Sequence, residues 1–219
     1  MAGHANFHGA GFEAENVVLK RIGPNERRVD DFELAFSRER RLLEQYYAIR
    51  QHCYRNVENG PAEFDGREDF YDRISDILIV KHAGEVVGGA RIVGRPRNVS
   101  IPLPLEQDGV SISKSLPEFN LDRLACCEFG RLAILDEYRS KVLLKEVVRS
   151  LIQRAIYRSY DYLIALSPLV QARCYRIICH NLKLPYPYLI HNGINVNKSE
   201  LECGNLKMYL ATLRLPKHF

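Results

Sequence analysis

The stretch from Leu124 to Arg149, LACCEFGRLAILDEYRSKVLLKEVVR, constrains the fold more than any other. Its first half is dense in apolar residues at Leu124, Cys126, Phe129, Leu132 and Ile134, with imperfect alternation, and predicts a strand. A polar turn, Asp136–Ser140, follows. From Val142 onward apolar residues recur at Leu143, Val147, Leu151 and Ala155, with Leu144, Val148, Ile152 and Ile156 beside them, which is helical spacing. A strand that feeds a helix through a polar turn leaves the first N–H groups of that helix facing the strand end. The strand carries Glu128 and Arg131, whose odd spacing sends them to opposite faces unless a bulge intervenes. On spacing alone the pair is equally a solvated acid and a solvated arginine.

The 219 residues suffice for one large domain, and 46% apolar content supports a sizeable core. No run of about twenty apolar residues exists, so no transmembrane segment is expected. The N-terminal MAGHANFHGAGFEAE lacks a basic start and an apolar core, and so does not read as a signal peptide. Six cysteines stand at 53, 126, 127, 174, 179 and 203 without a C-x-x-C pair. That pattern offers no zinc site and, without secretion, no disulfide framework, so a reduced cytoplasmic protein is expected. The net charge of +4 suits an acidic partner but is too small to argue for nucleic acid.

Residues 1–15 read as a flexible tail in which His4 and His8 are solvated, and residues 16–219 as a single domain. Val17–Ile22 is a candidate edge strand. Asp30 and Asp31 offer an N-cap for helical structure through Tyr54, with Arg38, Arg40 and Arg41 on its outer face. The stretch 56–67, rich in Asn, Gly, Pro and Asp, reads as a loop. Ile77–His82 and Glu85–Val93 read as strands joined at Ala83-Gly84, a hairpin. Residues 94–122, with four prolines, form a long loop of the kind that carries function or short elements of its own. Asp161–Leu166 is a buried strand, and Ser167-Pro168 is a helix start as N-cap and first helical residue. That helix runs to about Asn181. Tyr186–Ile190 and Leu206–Leu213 are the last two strands. The expected fold class is therefore α/β (α+β): one mixed central sheet flanked by helices.

This order resembles that of the GNAT acyltransferases. Local motifs resemble one branch of them, the LuxI-type acyl-homoserine lactone synthases and the long-chain N-acyl amino acid synthases. An Arg precedes an aromatic residue late in the first helix (Arg50, Tyr54), and two Asp three apart lead into a strand (Asp69, Asp72). The hairpin's second strand carries Gly88-Gly89-Ala90-Arg91-Ile92-Val93, and the fourth strand carries Glu128-Phe129-Gly130-Arg131. The sequence departs from the branch at Arg67, where the family has an acid, and at Gly130, where it has Ser. It also lacks any Trp, which turns the resemblance away from S-adenosylmethionine and toward the N-acyl amino acid branch. The ordinary GNAT phosphate loop needs glycines so that backbone N–H groups can wrap a pyrophosphate. Arg139–Leu144 has none, which favours a single-phosphate pantetheine arm on acyl carrier protein over CoA.

The resemblance implies catalytic residues Glu128, Arg131 and Tyr175. Glu128 would act as general base toward the amine, a task burial suits a carboxylate for. Tyr175 would protonate the leaving thiolate. Backbone N–H groups near Arg131–Ala133 would meet the oxyanion at a bulge. Arg50, Asp69, Asp72 and Arg91 would hold substrate or, equally, form a buried ionic network that is purely architectural. Lys141, Lys145 and Arg149, at i, i+4 and i+8, with Arg139, would receive the carrier protein and its phosphate, or simply form a solvated helix face. Leu163–Leu166 and the fourth strand would wall an acyl tunnel. The expectation is an N-acyltransferase that moves a long-chain acyl group from acyl carrier protein to an amino acid or similar small amine. No metal or redox cofactor is implied, and acyl carrier protein or CoA enters only as donor. The alternatives are a LuxI-type lactone synthase using S-adenosylmethionine, a small-acyl GNAT using acetyl-CoA, and a non-catalytic domain that binds acyl chains or carrier protein.

Overall fold

The computed structural model describes residues 31–55, 66–99, 101–109, 111–195 and 208–217. The expectations for the tail, for Val17–Ile22, for Asp30 and for most of the loop at 56–67 lie outside these residues. In chain order the elements are β1 Phe32–Ser37, α1 Arg40–Arg55, α2 Phe70–Ile74, β2 Asp76–His82, β3 Glu85–Arg95, α3 Ile112–Ser115, β4 Cys126–Ile134, α4 Lys141–Tyr157, β5 Tyr162–Pro168, α5 Leu169–Asn181, β6 Tyr188–Asn195 and β7 Met208–Arg214. They build one seven-stranded sheet of order β1-β2-β3-β4-β5-β7-β6. Every neighbouring pair is antiparallel except β4 and β5, which run parallel.

The predicted strand–turn–helix is β4, a polar turn and α4. Period-2 alternation divides β4 between two cores. Cys127 and Phe129 pack with Leu143, Val147, Val148, Leu151 and Ile152 of α4, and burying each such side chain is worth about 1.5–3 kcal/mol. The other face of the sheet is covered by α1, whose Tyr46, Tyr47 and Cys53 pack on Ile77, Ile79, Val86 and Ala133. The β2–β3 hairpin forms as expected, turning through Ala83 and Gly84, both at positive φ, as a two-residue hairpin turn requires.

Two boundaries differ from expectation. Phe32–Ser37 is a strand, and the helix begins only at Arg40. Phe32, Leu34 and Phe36 alternate, and full pairing with β2, from Phe32↔His82 to Ser37↔Ile77, outweighs the helical option that the same residues offered. Asp31 therefore caps no helix. Ser167 and Pro168 likewise stay in β5, paired with Tyr209 and Met208 of β7. Pro168 takes the cap position without a side-chain hydrogen bond, and α5 starts at Leu169.

The segment after β3 carries the short elements anticipated for a long loop: 3-10 turns at Pro104–Gly109, Pro117–Phe119 and Leu121–Arg123 around α3. Its Leu103, Leu105, Ile112, Leu116 and Leu121 form a second core against Tyr71, Val93, Cys126, Ile164 and Leu210. A nearly buried pair ties it down. Arg95 donates to Glu106 at 2.6 Å, and the Glu106 carboxylate also accepts from the N–H groups of Leu103 and Ile112.

Candidate active site

β4 and β5 pair only from Cys126↔Tyr162 to Phe129↔Ala165. Beyond that point β4 continues along β3, while Leu166–Pro168 of β5 run along β7. The two parallel strands therefore part at their C-terminal ends and leave an opening in the middle of the sheet. At the same place the β3–β4 register shifts between Gly89↔Ala133 and Arg91↔Gly130, which places one extra residue on β4. This is a β-bulge, and Arg131 within it has φ of 55°.

The bulge is built from both sides. On β3, a Cβ at Gly88 would lie 2.5 Å from the Ala133 carbonyl oxygen, and one at Gly89 would lie 2.7 Å from the Tyr46 ring. The two glycines thus admit β4 on one side and α1 on the other. From α1, the Tyr46 hydroxyl donates to the Arg131 carbonyl at 2.5 Å, the Tyr54 hydroxyl to that of Leu132 at 3.4 Å, and the Cys53 thiol to that of Ile134 at 3.4 Å.

The bulge also settles where Glu128 and Arg131 point. Arg91 pairs with Gly130 and Val93 with Glu128, so Arg91 and Glu128 share the face that α1 and α2 cover. Arg131 reaches Asp69 on that same face. The extra residue thus brings the predicted acid and guanidinium to one side. Glu128 is 7% exposed, and its Oε2 accepts from the Leu105 N–H at 2.7 Å. A Cβ built on Gly130 would meet nothing nearer than Glu128 Oε1, at 3.8 Å, so the strand is open just beyond the carboxylate.

Arg50, Asp69, Asp72, Arg91 and Arg131 form one ionic network. Arg50 grips Asp72 through two nitrogens at 2.9 and 2.8 Å, and Arg91 bonds Asp72 at 2.7 Å and Asp69 at 2.7 and 2.8 Å. Arg131 meets Asp69 more loosely, at 3.6 Å. The two acids sit three apart because they cap α2: Asp69 accepts from the Asp72 N–H, and Asp72 accepts from the Asp69 N–H. Burial raises the Asp72 carboxyl, but the Arg50 hydrogen bonds and the Arg91 charge outweigh it and hold the pKa below the usual carboxylate value. Burial alone would lower the Arg50 guanidinium, yet the bond to Asp72 leaves it raised. Arg67 contributes its backbone, since its carbonyl accepts from Arg50 at 2.5 Å.

Tyr175 lies on the other face of β4. It is 3% exposed, its ring stands 5.0 Å from Phe129, and its hydroxyl accepts from Gln171. Burial holds its phenol well above the ordinary value, so it stays a protonated donor. Beneath the opening lies a small apolar cavity of about 10 Å³, walled by Phe129, Leu151, Leu163, Tyr175 and Tyr188 among others. Of the predicted tunnel wall, Leu163 faces this cavity, while Ile164 and Leu166 belong to the core on the opposite face.

The N-terminus of α4 is capped by Ser140, whose hydroxyl accepts from the Leu143 N–H. Arg139 folds back onto the Ile134 carbonyl at 2.9 Å and pairs with Asp136, and Arg149 pairs with the buried Glu146 at 3.0 Å. Lys141 is exposed and Lys145 half-buried. The four predicted cations are therefore not equivalent, two of them being engaged in holding the fold. Among the described residues there is no His/Cys/Asp/Glu cluster suited to a metal, and no helix is long and apolar enough to cross a membrane.

Sequence reasoning did not single out Tyr46, which stands with Arg50 and the second bulge-facing hydroxyl, that of Tyr54. They stand at i, i+4 and i+8 on one face of α1, a spacing that an ordinary core stripe shares and that by itself gives no signal. It also missed Leu105, whose N–H holds Glu128; a backbone donor leaves no trace in residue identity.

Residues 49–149 match the family described as Acetyltransferase (GNAT) domain. Among curated proteins none matches the chain. Three solved structures share its architecture. FeeM, an N-acyl amino acid synthase from uncultured soil microbes, is 9% identical with a TM-score of 0.61, over 85% of this chain and 93% of that one. The AHL synthase LasI is 14% identical with a TM-score of 0.54, over 84% and 89%. BjaI, a CoA-dependent acyl-homoserine lactone synthase, is 15% identical with a TM-score of 0.51, over 82% and 78%. Identity this low speaks for a common fold. Residues 49–149 thus resemble a GNAT acetyltransferase domain, and the chain shares the fold of these three structures, with its parallel strands parted beside a bulged β4.

Proposed function

We propose that this protein is an N-acyltransferase that moves an acyl group from the pantetheine thioester of acyl carrier protein to the amine of an amino acid or similar small amine. The observation that carries this reading is the buried Glu128 carboxylate, three residues before the bulged Arg131, at the point where β4 and β5 part. A base and an oxyanion donor beside an opening for a thioester are what aminolysis needs.

The thioester enters the opening with its carbonyl oxygen toward the bulge. Glu128 takes a proton from the acceptor ammonium, the amine attacks the carbonyl carbon, and the bulge N–H of Leu132 receives the developing oxyanion. Collapse breaks the C–S bond, and the attacking nitrogen gives up its remaining extra proton to the thiolate. The amide and the neutral thiol leave with the first proton still on Glu128, which then releases it to solvent. Tyr175, on the other face beside Phe129, would support the departing sulfur as a hydrogen-bond donor. The network around Asp72 holds α2 and α1 against the sheet so that this geometry persists.

Carrier protein is favoured as donor because the turn into α4 has no glycine to wrap a pyrophosphate, while Ser140 and the first N–H groups of α4 suit one phosphate. Lys141 and Lys145 lie where an acidic partner would approach. The fold is shared with FeeM, described as an N-acyl amino acid synthase. Cys53, Cys126, Cys127, Cys174 and Cys179 are free thiols, in keeping with a cytoplasmic setting.

One observation favours a second reading. A cavity of about 10 Å³ has room for roughly one water-sized sphere. A long chain must therefore displace Tyr188 or Tyr175, whereas a short acyl group on CoA needs less. Mass spectrometry after incubation with acyl carrier proteins and acyl-CoAs of graded chain length, a pool of amino acids and S-adenosylmethionine separates these. A long-chain N-acyl amino acid from the carrier protein supports the proposal. A short amide from CoA selects the second reading, an acyl-homoserine lactone places the activity with the lactone synthases, and no product from any donor overturns both readings.

A further inference from the structure

We propose that Tyr46 is a positioning residue for acyl transfer. By holding the Arg131 carbonyl, it sets the Arg131–Leu132 peptide so that the Leu132 N–H faces the thioester oxygen. This deepens the acyl-transfer reading and rests on it.

Tyr46 is fully buried, and a buried phenol needs a partner for its hydroxyl. Its partner is a backbone carbonyl inside the bulge rather than a side chain. That carbonyl belongs to Arg131, whose φ of 55° is unfavourable for a residue with a Cβ by about 1–2 kcal/mol. Such a conformation persists where its surroundings over-determine it. In a trans peptide the C=O and the following N–H point in opposite directions. A carbonyl turned toward α1 therefore turns the Leu132 N–H away from α1, beside the end of the β4–β5 pairing at Phe129↔Ala165. Donation to the carbonyl also polarises the peptide and strengthens that N–H as a donor.

The phenol itself is clamped. Its ring lies against Gly89, where any Cβ would intrude, and the Arg50 guanidinium stands 5.6 Å from its centroid. Arg50 is in turn fixed by Asp72. The network thus ends, through Tyr46, on the one peptide whose direction matters to the oxyanion, which gives the glycine pair, the buried arginine and the acid pair a common purpose. Burial keeps the phenol protonated far beyond neutral pH, so it is a constant donor.

The test is Tyr46→Phe, which keeps the ring and removes the hydroxyl. Steady-state kinetics are read beside the infrared carbonyl stretch of a bound, isotope-labelled acyl thioester. The expected result is a kcat lowered by about tenfold to a hundredfold, the size of effect that a small misplacement of catalytic groups produces. KM for donor and acceptor should stay unchanged, and the stretch should shift back toward its value in free solution. Ile79→Val, which removes one methyl group from the same core cluster, controls for stability: it lowers the melting temperature without the loss in kcat. Wild-type kcat and an unshifted stretch in Tyr46→Phe would overturn the positioning claim while leaving the acyl-transfer reading in place. An equal loss of kcat in Ile79→Val would also overturn it. Failure of the wild-type protein to turn over any thioester would remove the reading on which it rests.

Discussion

Asp72 is the residue on which the site depends most. Its side chain is buried, and it answers two guanidiniums that are almost as deeply enclosed. Asp72→Ala leaves Arg50 and Arg91 buried without their shared partner, and such a loss costs about 3–5 kcal/mol. Denaturant unfolding is expected to show a fall of that size. The pH dependence follows from the lowered folded pKa. The contribution is fully present above the unfolded carboxylate value of about 3.9 and is lost as pH falls below it through the folded value. Asp76, held by Arg154 and Arg158, acts in the same direction. An acid titration of stability should therefore be shallower in Asp72→Ala than in the wild type below about pH 4. At this scale much was legible in the sequence. The acid pair and the arginines were named through the family resemblance, as substrate-holding or as a buried network, and they meet as a network. Tyr46 was not legible, since a tyrosine on a buried helical stripe looks like core until strand pairing shows which carbonyl it meets.

Among the elements, the β3–β4 pair with its bulge carries the proposed chemistry. Gly88→Ala would bring a Cβ to within 2.5 Å of the Ala133 carbonyl oxygen, which is backbone and cannot rotate away. Overpacking of this kind costs about 1–3 kcal/mol, and displacement of the bulge should lower turnover as well; melting and kinetics on one preparation check both. The N-terminal half of α4 is a separate case. If Lys141 and Lys145 steer an acidic carrier protein, Lys141→Glu with Lys145→Glu raises KM for that donor and leaves kcat alone. The difference should shrink as salt rises, since the screening length falls from about 10 Å at 0.1 M to about 3 Å at 1 M. The strand–turn–helix around β4 was legible because its period changes from 2 to 3.6 within a few residues. β1 was not: Phe32, Leu34, Ala35 and Phe36 satisfy both periods, and only pairing with β2 decides between them.

For the whole molecule, the sheet separates two chemical surroundings at one opening. On the face of α1 and α2 lie the carboxylate of Glu128, the ionic network and the covering segment after β3. On the face of α4 and α5 lie Phe129, Tyr175 and the apolar cavity. An amine approaching from the polar side and an acyl chain lying on the apolar side would meet at the β4 bulge, which is the central claim. The order of elements was legible and so suggested the fold class, whereas the parting of β4 and β5 was not, because residue identity does not show that their pairing stops at Phe129↔Ala165 while β5 stays paired with β7 on its other edge.

Glu128→Gln tests that claim most directly. The amide keeps the shape and can still accept from the Leu105 N–H, so folding and donor binding should hold. The measurement is kcat/KM for amide formation beside the melting temperature and the affinity for the acyl donor. A fall of about a hundredfold or more, with stability and binding unchanged, is the predicted result. Unaltered turnover would contradict the account, because the proton would then leave the amine without Glu128.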